Sequence, residues 1–261
     1  MNTARHRTAL ALCALWMGAC GAAPKAPVPE VPEPAAAPAS APTSAPAQGA
    51  EAPTLAAQVH RAAGGERFEE VRVVSFTFAV EQGGERAFEA RHTWDRRAGT
   101  DRVVWTDRAS GVAYDVTLDV AAKTAQGTAN GAPLPDPATV AKLAYARWIN
   151  DTYWLLMPLK VLDPGVQQTD EGTREHDGAS YRVLRLAFSG VGLTPGDVYD
   201  LLIDPETLQV AWWEMRLQGR ADQPTLVSWE GHEAFGPLTL ATRHVVAGGA
   251  RQILLEEVVV Q

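Results

Sequence analysis

Histidines beside carboxylates are the residues of this chain whose types could support metal binding or catalysis. Two short runs, Glu175-His176-Asp177 and Glu230-Gly231-His232-Glu233, combine an imidazole with carboxylates, which are donors that zinc and similar ions accept. Both runs coincide with predicted turns, where polar side chains are common for solvation alone, and we therefore predict no metal site. His92 shares one face of a predicted strand with Phe88 and Trp94, and we expect it to point inward.

The sequence motifs of the common enzyme classes are absent. The chain has no H-E-x-x-H, no C-x-x-C, no G-x-S-x-G and no Walker A sequence. A hydrolase would have to use His92 or His232 with a neighbouring carboxylate, and no such pair can be chosen among 31 Asp and Glu residues without spatial information. We predict no catalytic residue and no cofactor, and we expect the protein not to be an enzyme.

Tryptophan points more directly to a function, because seven of the eight tryptophans lie beyond residue 90. Aromatic side chains on strands and on a covering helix can line an apolar ligand cavity, although they can also form an ordinary aromatic core. A lysine among them could meet a ligand head group at the cavity mouth, or could simply extend its ammonium to solvent. The predicted cavity residues are Trp94, Trp148, Tyr153, Trp154, Met157, Lys160, Trp212 and Trp213.

Alternation of apolar and polar residues predicts that strands position most of these side chains. The alternating runs 74–80 and 88–94 flank Gln82-Gly83-Gly84-Glu85, which indicates an antiparallel hairpin. A third run covers 112–120, and six more strands are predicted at 181–188, 198–204, 210–217, 225–230, 238–245 and 253–260. Roughly ten strands without regularly alternating helices favour a mainly β (α+β) fold, in which two helices cover the concave face of a curved antiparallel sheet or half-barrel.

Two helices are predicted from 3.6-residue spacing. The first covers Thr54 to Ala63 and stops at Gly64-Gly65. The second opens with Asp136 as N-cap and Pro137 in its first turn, and its apolar positions continue to Leu156.

The stretch DTYWLLMPLKVLDPGV, residues 151–166, contains the predicted end of this second helix. Pro158 disfavours helix at Met157, so we expect the helix to end near Leu156 and the chain to run extended to Asp163. Lys160 and Asp163 would then point to opposite faces about 10 Å apart. Asp163-Pro164-Gly165-Val166 fits a type II turn.

The N-terminus has the pattern of an export signal. A basic start and a short apolar run, residues 9–17, precede Met17-Gly18-Ala19-Cys20, which resembles the lipobox of bacterial lipoproteins. The resemblance implies a signal peptide over 1–19, lipid attachment at Cys20 and anchoring in a membrane. Residues 20–50 are rich in Pro and Ala and are expected to be a disordered tether, followed by a single domain over 51–261. Gly21 is not the aspartate that retains enteric lipoproteins in the inner membrane, so the resemblance favours the outer membrane, with the domain in the periplasm.

Composition excludes several classes of partner. The net charge of the chain is −8, which disfavours nucleic acid and anionic lipid surfaces as partners of the domain. Cys13 and Cys20 are the only cysteines, and both precede the predicted domain, so an intramolecular disulfide within it is excluded. The oligomeric state is not predicted.

Several segments resemble a family of uncharacterised bacterial exported proteins and lipoproteins, a domain of unknown function. They are His60 to Gly65, YWLLMPLKVLDPGV at 153–166, LTPGDVY at 193–199 and IDPET at 203–207. More distantly, a curved antiparallel sheet with a helical lid looks like the half-barrel of the lipoprotein carriers LolA and LolB. That resemblance implies acyl-chain binding between sheet and helices, by analogy of fold alone.

Two functions therefore stay open beside the less favoured hydrolase. The first is a tethered periplasmic protein that binds lipid or an acyl chain between sheet and helices. The alternative is an envelope interaction or scaffold protein with a filled core. The volume enclosed between the sheet and the second helix distinguishes them.

Overall fold

The computed structural model describes residues 52–194, 196–218 and 222–261. The predicted signal peptide, Cys20 and the tether lie outside the described residues. Residues Pro53–Gln261 form one compact unit, and the described part of it contains fourteen strands. The strands are β1 (Val73–Gln82), β2 (Glu85–Asp95), β3 (Thr100–Thr106), β4 (Ala113–Asp119), β5 (Thr124–Ala129), β6 (Ala132–Pro133), β7 (Val166–His176), β8 (Ala179–Phe188), β9 (Val198–Ile203), β10 (Val210–Arg216), β11 (Thr225–Ser228), β12 (Glu230–Phe235), β13 (Leu238–Val245) and β14 (Arg251–Val260).

The strands form two antiparallel sheets. One has nine strands in the order β12-β13-β14-β1-β2-β3-β4-β5-β6, and the other has five in the order β11-β10-β9-β8-β7. A bridge between Val227 and Val246 links the two sheets, and together they form an open, curved half-barrel. The predicted fold class is therefore confirmed.

The predicted β1–β2 hairpin is confirmed, and its turn uses Gly83 and Gly84 at positive φ. The estimate of roughly ten strands was too low. The polar strand β7 and the short strands β3, β5, β6 and β12 were not predicted, because they carry weak apolar alternation or none.

The first helix, α1 (Leu55–Ala62), begins after Thr54, whose hydroxyl accepts a hydrogen bond from the Ala57 amide at 3.2 Å. It ends just before Gly64, which takes the left-handed conformation at φ 84°. A 3-10 helix follows at Gly65–Glu70. The predicted position of this helix and its glycine stop are confirmed.

The second helix, α2 (Pro137–Lys160), has the predicted N-cap, since the Asp136 carboxylate accepts from the Thr139 amide at 3.1 Å. The predicted end near Leu156 was wrong, because the helix continues through Pro158 to Lys160. Leu155, Met157 and Leu159 are at most 3% exposed. The stabilisation from burying these side chains offsets the free-energy cost of the helical hydrogen bond that Pro158 cannot donate.

The core has two parts, and α2 contributes to both. Its N-terminal half packs Val140 and Ala144 on β2, β3 and β4. Its C-terminal half packs Leu155 to Met157 against side chains of both sheets. The helix therefore contacts both sheets, and the burial of Met157 and Leu159 holds its last turn against the core.

Candidate functional site: an open cleft beside a buried histidine triad

An open cleft of about 480 Å³ lies where the 3-10 helix, the end of β2 and the last turn of α2 meet. This volume is within the range of small-molecule sites. Apolar side chains from each element contribute to its lining: Phe68, Val71, Trp94 and Leu159. The charged and imidazole side chains of the lining are His60, Glu69, Arg96, Arg97, Lys160 and Asp163.

Arg96 builds one wall of this cleft. Its guanidinium donates to the carbonyls of Phe68 and Val71 at 2.5 and 2.8 Å and lies 3.8 Å from the centre of the Phe68 ring. It also pairs with Glu69 at 3.1 Å. These contacts attach the 3-10 helix to the end of β2, so Arg96 is committed to the structure of the wall.

Lys160 lines the cleft from the last turn of α2. Its ammonium lies 3.4 Å from the Asp163 carboxylate, in an i,i+3 pair. The predicted separation of Lys160 and Asp163 onto opposite faces was therefore wrong, because α2 continues further than predicted. The predicted turn at residues 163–166 is confirmed by the hydrogen bond from the Val166 amide to the Asp163 carbonyl and by Gly165 at φ 87°.

Two of the predicted cavity residues, Trp94 and Lys160, line the cleft. Trp148 packs edge-on against Trp94, with 5.5 Å between ring centres. Trp212 lies on the other face of its strand from Trp213, because successive strand residues alternate, and it contacts His176. Trp212 is thus separated from the other predicted cavity residues.

The remaining predicted residues, Tyr153, Trp154, Met157 and Trp213, pack in the interior. Trp154 and Trp213 have ring centres 4.7 Å apart, and Tyr153 lies 5.9 Å from Trp213. A cavity of only about 10 Å³ occurs nearby, against Pro158. The interface between these side chains of α2 and the sheets is filled, and the roles predicted for them in ligand binding stay predictions.

Several polar atoms in this aromatic interior lack hydrogen-bond partners among the described residues. They include the hydroxyl of Tyr153 and the indole nitrogens of Trp213 and Trp229. The imidazole of His244 contacts the tilted rings of Trp154 and Trp229, and neither of its nitrogens makes a hydrogen bond of normal geometry with a described residue. Burial lowers the pKa of His244 to about 3, although the nearby backbone of Trp154 opposes this shift. His244 is therefore a neutral core residue.

His92 is the centre of a buried triad that the sequence alone did not reveal. Its Nδ1 lies 2.7 Å from Asp101 on β3, and its Nε2 lies 3.0 Å from Asp151 on α2. All three residues are at most 1% exposed, and Phe76 stacks on the imidazole at 4.9 Å. The predicted inward orientation of His92 is confirmed.

The protonation of this triad follows from its charges. Burial alone would lower the pKa of His92, but the charges and hydrogen bonds of Asp101 and Asp151 outweigh it and raise the pKa to about 9. His92 is therefore an imidazolium at neutral pH and binds the middle of α2 to β2 and β3. A protonated, fully enclosed imidazole cannot act as a general base for a substrate in the cleft.

A second charged cluster lies on the five-stranded sheet. Asp200 is fully buried and accepts hydrogen bonds from Arg174, Arg185 and Arg216 at 2.8 to 3.1 Å. Burial would raise the pKa of Asp200, but the three guanidinium groups outweigh it and lower that pKa strongly. Glu214 and Glu171 pair with the same arginines, so the six charges balance and the cluster is structural.

The described residues contain no group of three or more His, Cys, Asp and Glu that could hold a metal ion. Within the same ranges, no helix is long and apolar enough to cross a membrane.

Neither protein-family models nor curated proteins match this chain. Among solved structures, a LolA superfamily protein from Nitrosomonas europaea is similar over 77% of this chain and 90% of its own, with 9% identity and a TM-score of 0.47. A DUF1329 family protein from Desulfovibrio piger is similar over 78% and 92%, with 10% identity and a TM-score of 0.40. The Mycobacterium tuberculosis lipoprotein LppX is similar over 78% of this chain and 94% of its own, with 12% identity and a TM-score of 0.29.

A LolA superfamily structure is thus among those similar to the chain, as the resemblance of fold predicted. Because the TM-scores are below 0.5, we infer neither a ligand nor an activity of this chain from these similarities. The family resemblance based on the motif at 153–166 stays a prediction.

Proposed function

We propose that this chain is a membrane-tethered, non-catalytic binding protein of the bacterial envelope, and that the cleft takes an amphipathic ligand such as a lipid or an acyl chain. The observation that carries the proposal is the cleft itself, which is open to solvent and borders both α2 and the sheet. Phe68 and Trp94 provide apolar surface for a chain, and Lys160 stands at its polar edge. The lipobox-like Cys20 and the Pro/Ala-rich tether support the envelope location.

The lack of catalysis in this proposal is supported by the position of His92. The triad has a histidine and two carboxylates, but all are enclosed, and the imidazole already has both nitrogens engaged. No described residue of the cleft combines a histidine with a carboxylate at hydrogen-bond distance.

The proposal is tested on residues 52–261, which contain every element described above. We expect fatty acids to displace an environment-sensitive dye from this domain, and we expect native mass spectrometry to detect co-purifying lipid. Trp94→Ala removes apolar surface from the cleft and should weaken the displacement. Trp212→Ala, on the outer face of the five-stranded sheet, is the matched control and should leave it unchanged. Equal effects of the two variants would count against the cleft.

The filled interior favours a second candidate, an envelope interaction protein that binds no small ligand. In that case neither bound lipid nor dye displacement would be observed. Pull-down of a defined envelope protein by the tethered chain would then be the positive result.

A further inference from the structure

We infer that the cleft selects single-chain amphiphiles with an anionic head group, and that Arg97 and Lys160 determine this selectivity. The inference rests on the proposed function and specifies the class of ligand. It depends on which charges of the cleft are already neutralised within the protein.

The charges of the cleft do not balance. Its two carboxylates each have a cation of their own, since Glu69 pairs with Arg96 and Asp163 pairs with Lys160. Arg97 remains, an exposed residue whose guanidinium makes no hydrogen bond or ion pair with any described residue. Its backbone amide is fixed by the Asp95 carboxylate at 3.0 Å, so the side chain starts from a defined position. One excess positive charge thus faces a cleft in a chain whose net charge is −8.

Lys160 can add a second contact to an anion. Its pair with Asp163 is long at 3.4 Å, and 49% of the Asp163 side chain is exposed, so the pair holds the ammonium weakly. Because Lys160 ends a helix whose preceding residues are buried, its Cα is fixed at the cleft edge while its ammonium can turn toward a ligand.

The apolar part of the ligand has its own surface beside these cations. The rings of Trp94 and Phe68 lie with their centres 6.5 Å apart, and Leu159 lines the cleft from the α2 side. An anionic head near Arg97 and Lys160 with a chain on the aromatic rings satisfies both halves of the cleft. A neutral head would leave the excess charge of Arg97 unpaired.

The test compares three probes by isothermal titration calorimetry on residues 52–261: octyl phosphate, octyl glucoside and inorganic phosphate. We expect octyl phosphate to bind about tenfold more tightly than octyl glucoside, because two partly exposed ion pairs contribute roughly threefold each. Inorganic phosphate should bind more weakly than octyl phosphate, because it lacks the chain.

Variants assign the effect to residues. Arg97→Gln should weaken octyl phosphate about threefold, and Arg97→Gln with Lys160→Gln about tenfold, without changing octyl glucoside. Arg91→Gln, an exposed arginine elsewhere on β2, is the control and should have no effect. Equal affinity for the two octyl compounds, or octyl phosphate binding that survives the double variant, would overturn the inference alone. Absence of binding by both octyl compounds would overturn the proposed function as well.

Discussion

The His92 triad makes the stability of this fold depend on pH in a defined direction. The pKa of His92 is about 9 in the folded chain, against 6.5 for an unperturbed histidine. A pKa raised by folding contributes stability that is complete below the unfolded pKa and is lost as pH rises through the folded pKa. The stabilisation by His92 should therefore be complete below pH 6.5 and should disappear above about pH 9.

The magnitude follows from the shift between the two states. Each unit of pKa corresponds to about 1.4 kcal/mol, so the free energy of unfolding should fall by about 1.4 kcal/mol per pH unit in this interval and by about 3 kcal/mol in total. Deprotonation of His92 would leave the carboxylates of Asp101 and Asp151 buried around a neutral ring. Because Asp151 lies on α2 and Asp101 on β3, the lost stabilisation is that of the contact between α2 and the sheet.

Urea unfolding of residues 52–261 at several pH values between 6 and 10 measures this slope. The comparison is a variant with His92→Gln, Asp101→Asn and Asp151→Asn, which removes the three charges and should lose the slope. His60→Gln changes a partly exposed histidine outside the triad and should retain it. An equal slope in the wild type and the triple variant, or an NMR titration of His92 below pH 7, would refute this reasoning.

Two further predictions concern stability elsewhere in the domain. Asp200→Asn should lower the free energy of unfolding by on the order of 2 kcal/mol at pH 7, because three arginines lose their shared carboxylate. Since the pKa of Asp200 is lowered in the folded chain, chemical denaturation should show this difference unchanged down to the range in which an ordinary aspartate titrates and shrinking only as pH falls below that range; Glu171→Gln, at the exposed edge of the cluster, should cost less than about 1 kcal/mol. Gly127→Ala should lower the free energy of unfolding by at least about 2 kcal/mol in thermal or urea unfolding, since φ is 147° and the new Cβ would lie 2.1 Å from the Asp115 carbonyl oxygen. Gly83→Ala is the control, with φ 61° and open space around the new Cβ, and should lower it clearly less. Equal losses in the two variants would contradict the steric explanation.

Local patterns predicted the elements whose signals are contained within a few residues. The hairpin of β1 and β2 has clean alternation and a glycine turn, and α2 has an aspartate N-cap followed by proline. β7 was missed because VQQTDEGTREH is polar on both faces, so it carries no period of two. It forms a strand because its backbone pairs with β8, which a local pattern does not report.

The candidate site was less accessible to sequence reasoning, because it depends on contacts between distant segments. Asp101 reaches His92 through the pairing of β2 with β3, and Asp151 reaches it only because α2 packs across those strands. The end of α2 was misplaced since the cost of Pro158 was weighed without the burial of its neighbours. The opposite orientations of Trp212 and Trp213, by contrast, follow from strand alternation alone and could have been predicted.

The helix α2 contributes a residue to the triad and a residue to the cleft, so variants of the triad and variants of Arg97 should differ in their effects on stability and on binding. His92 holds the middle of α2, whereas Lys160 is at its end and lines the cleft. Loss of the triad charges should weaken the fold and, through displacement of the last helical turn, the binding of every amphiphile alike. Loss of Arg97 should leave stability unchanged and reduce only the binding of anionic ones, because that side chain is exposed and has no partner among the described residues. Measuring both quantities on both variants separates a residue that positions the cleft from one that contacts its ligand.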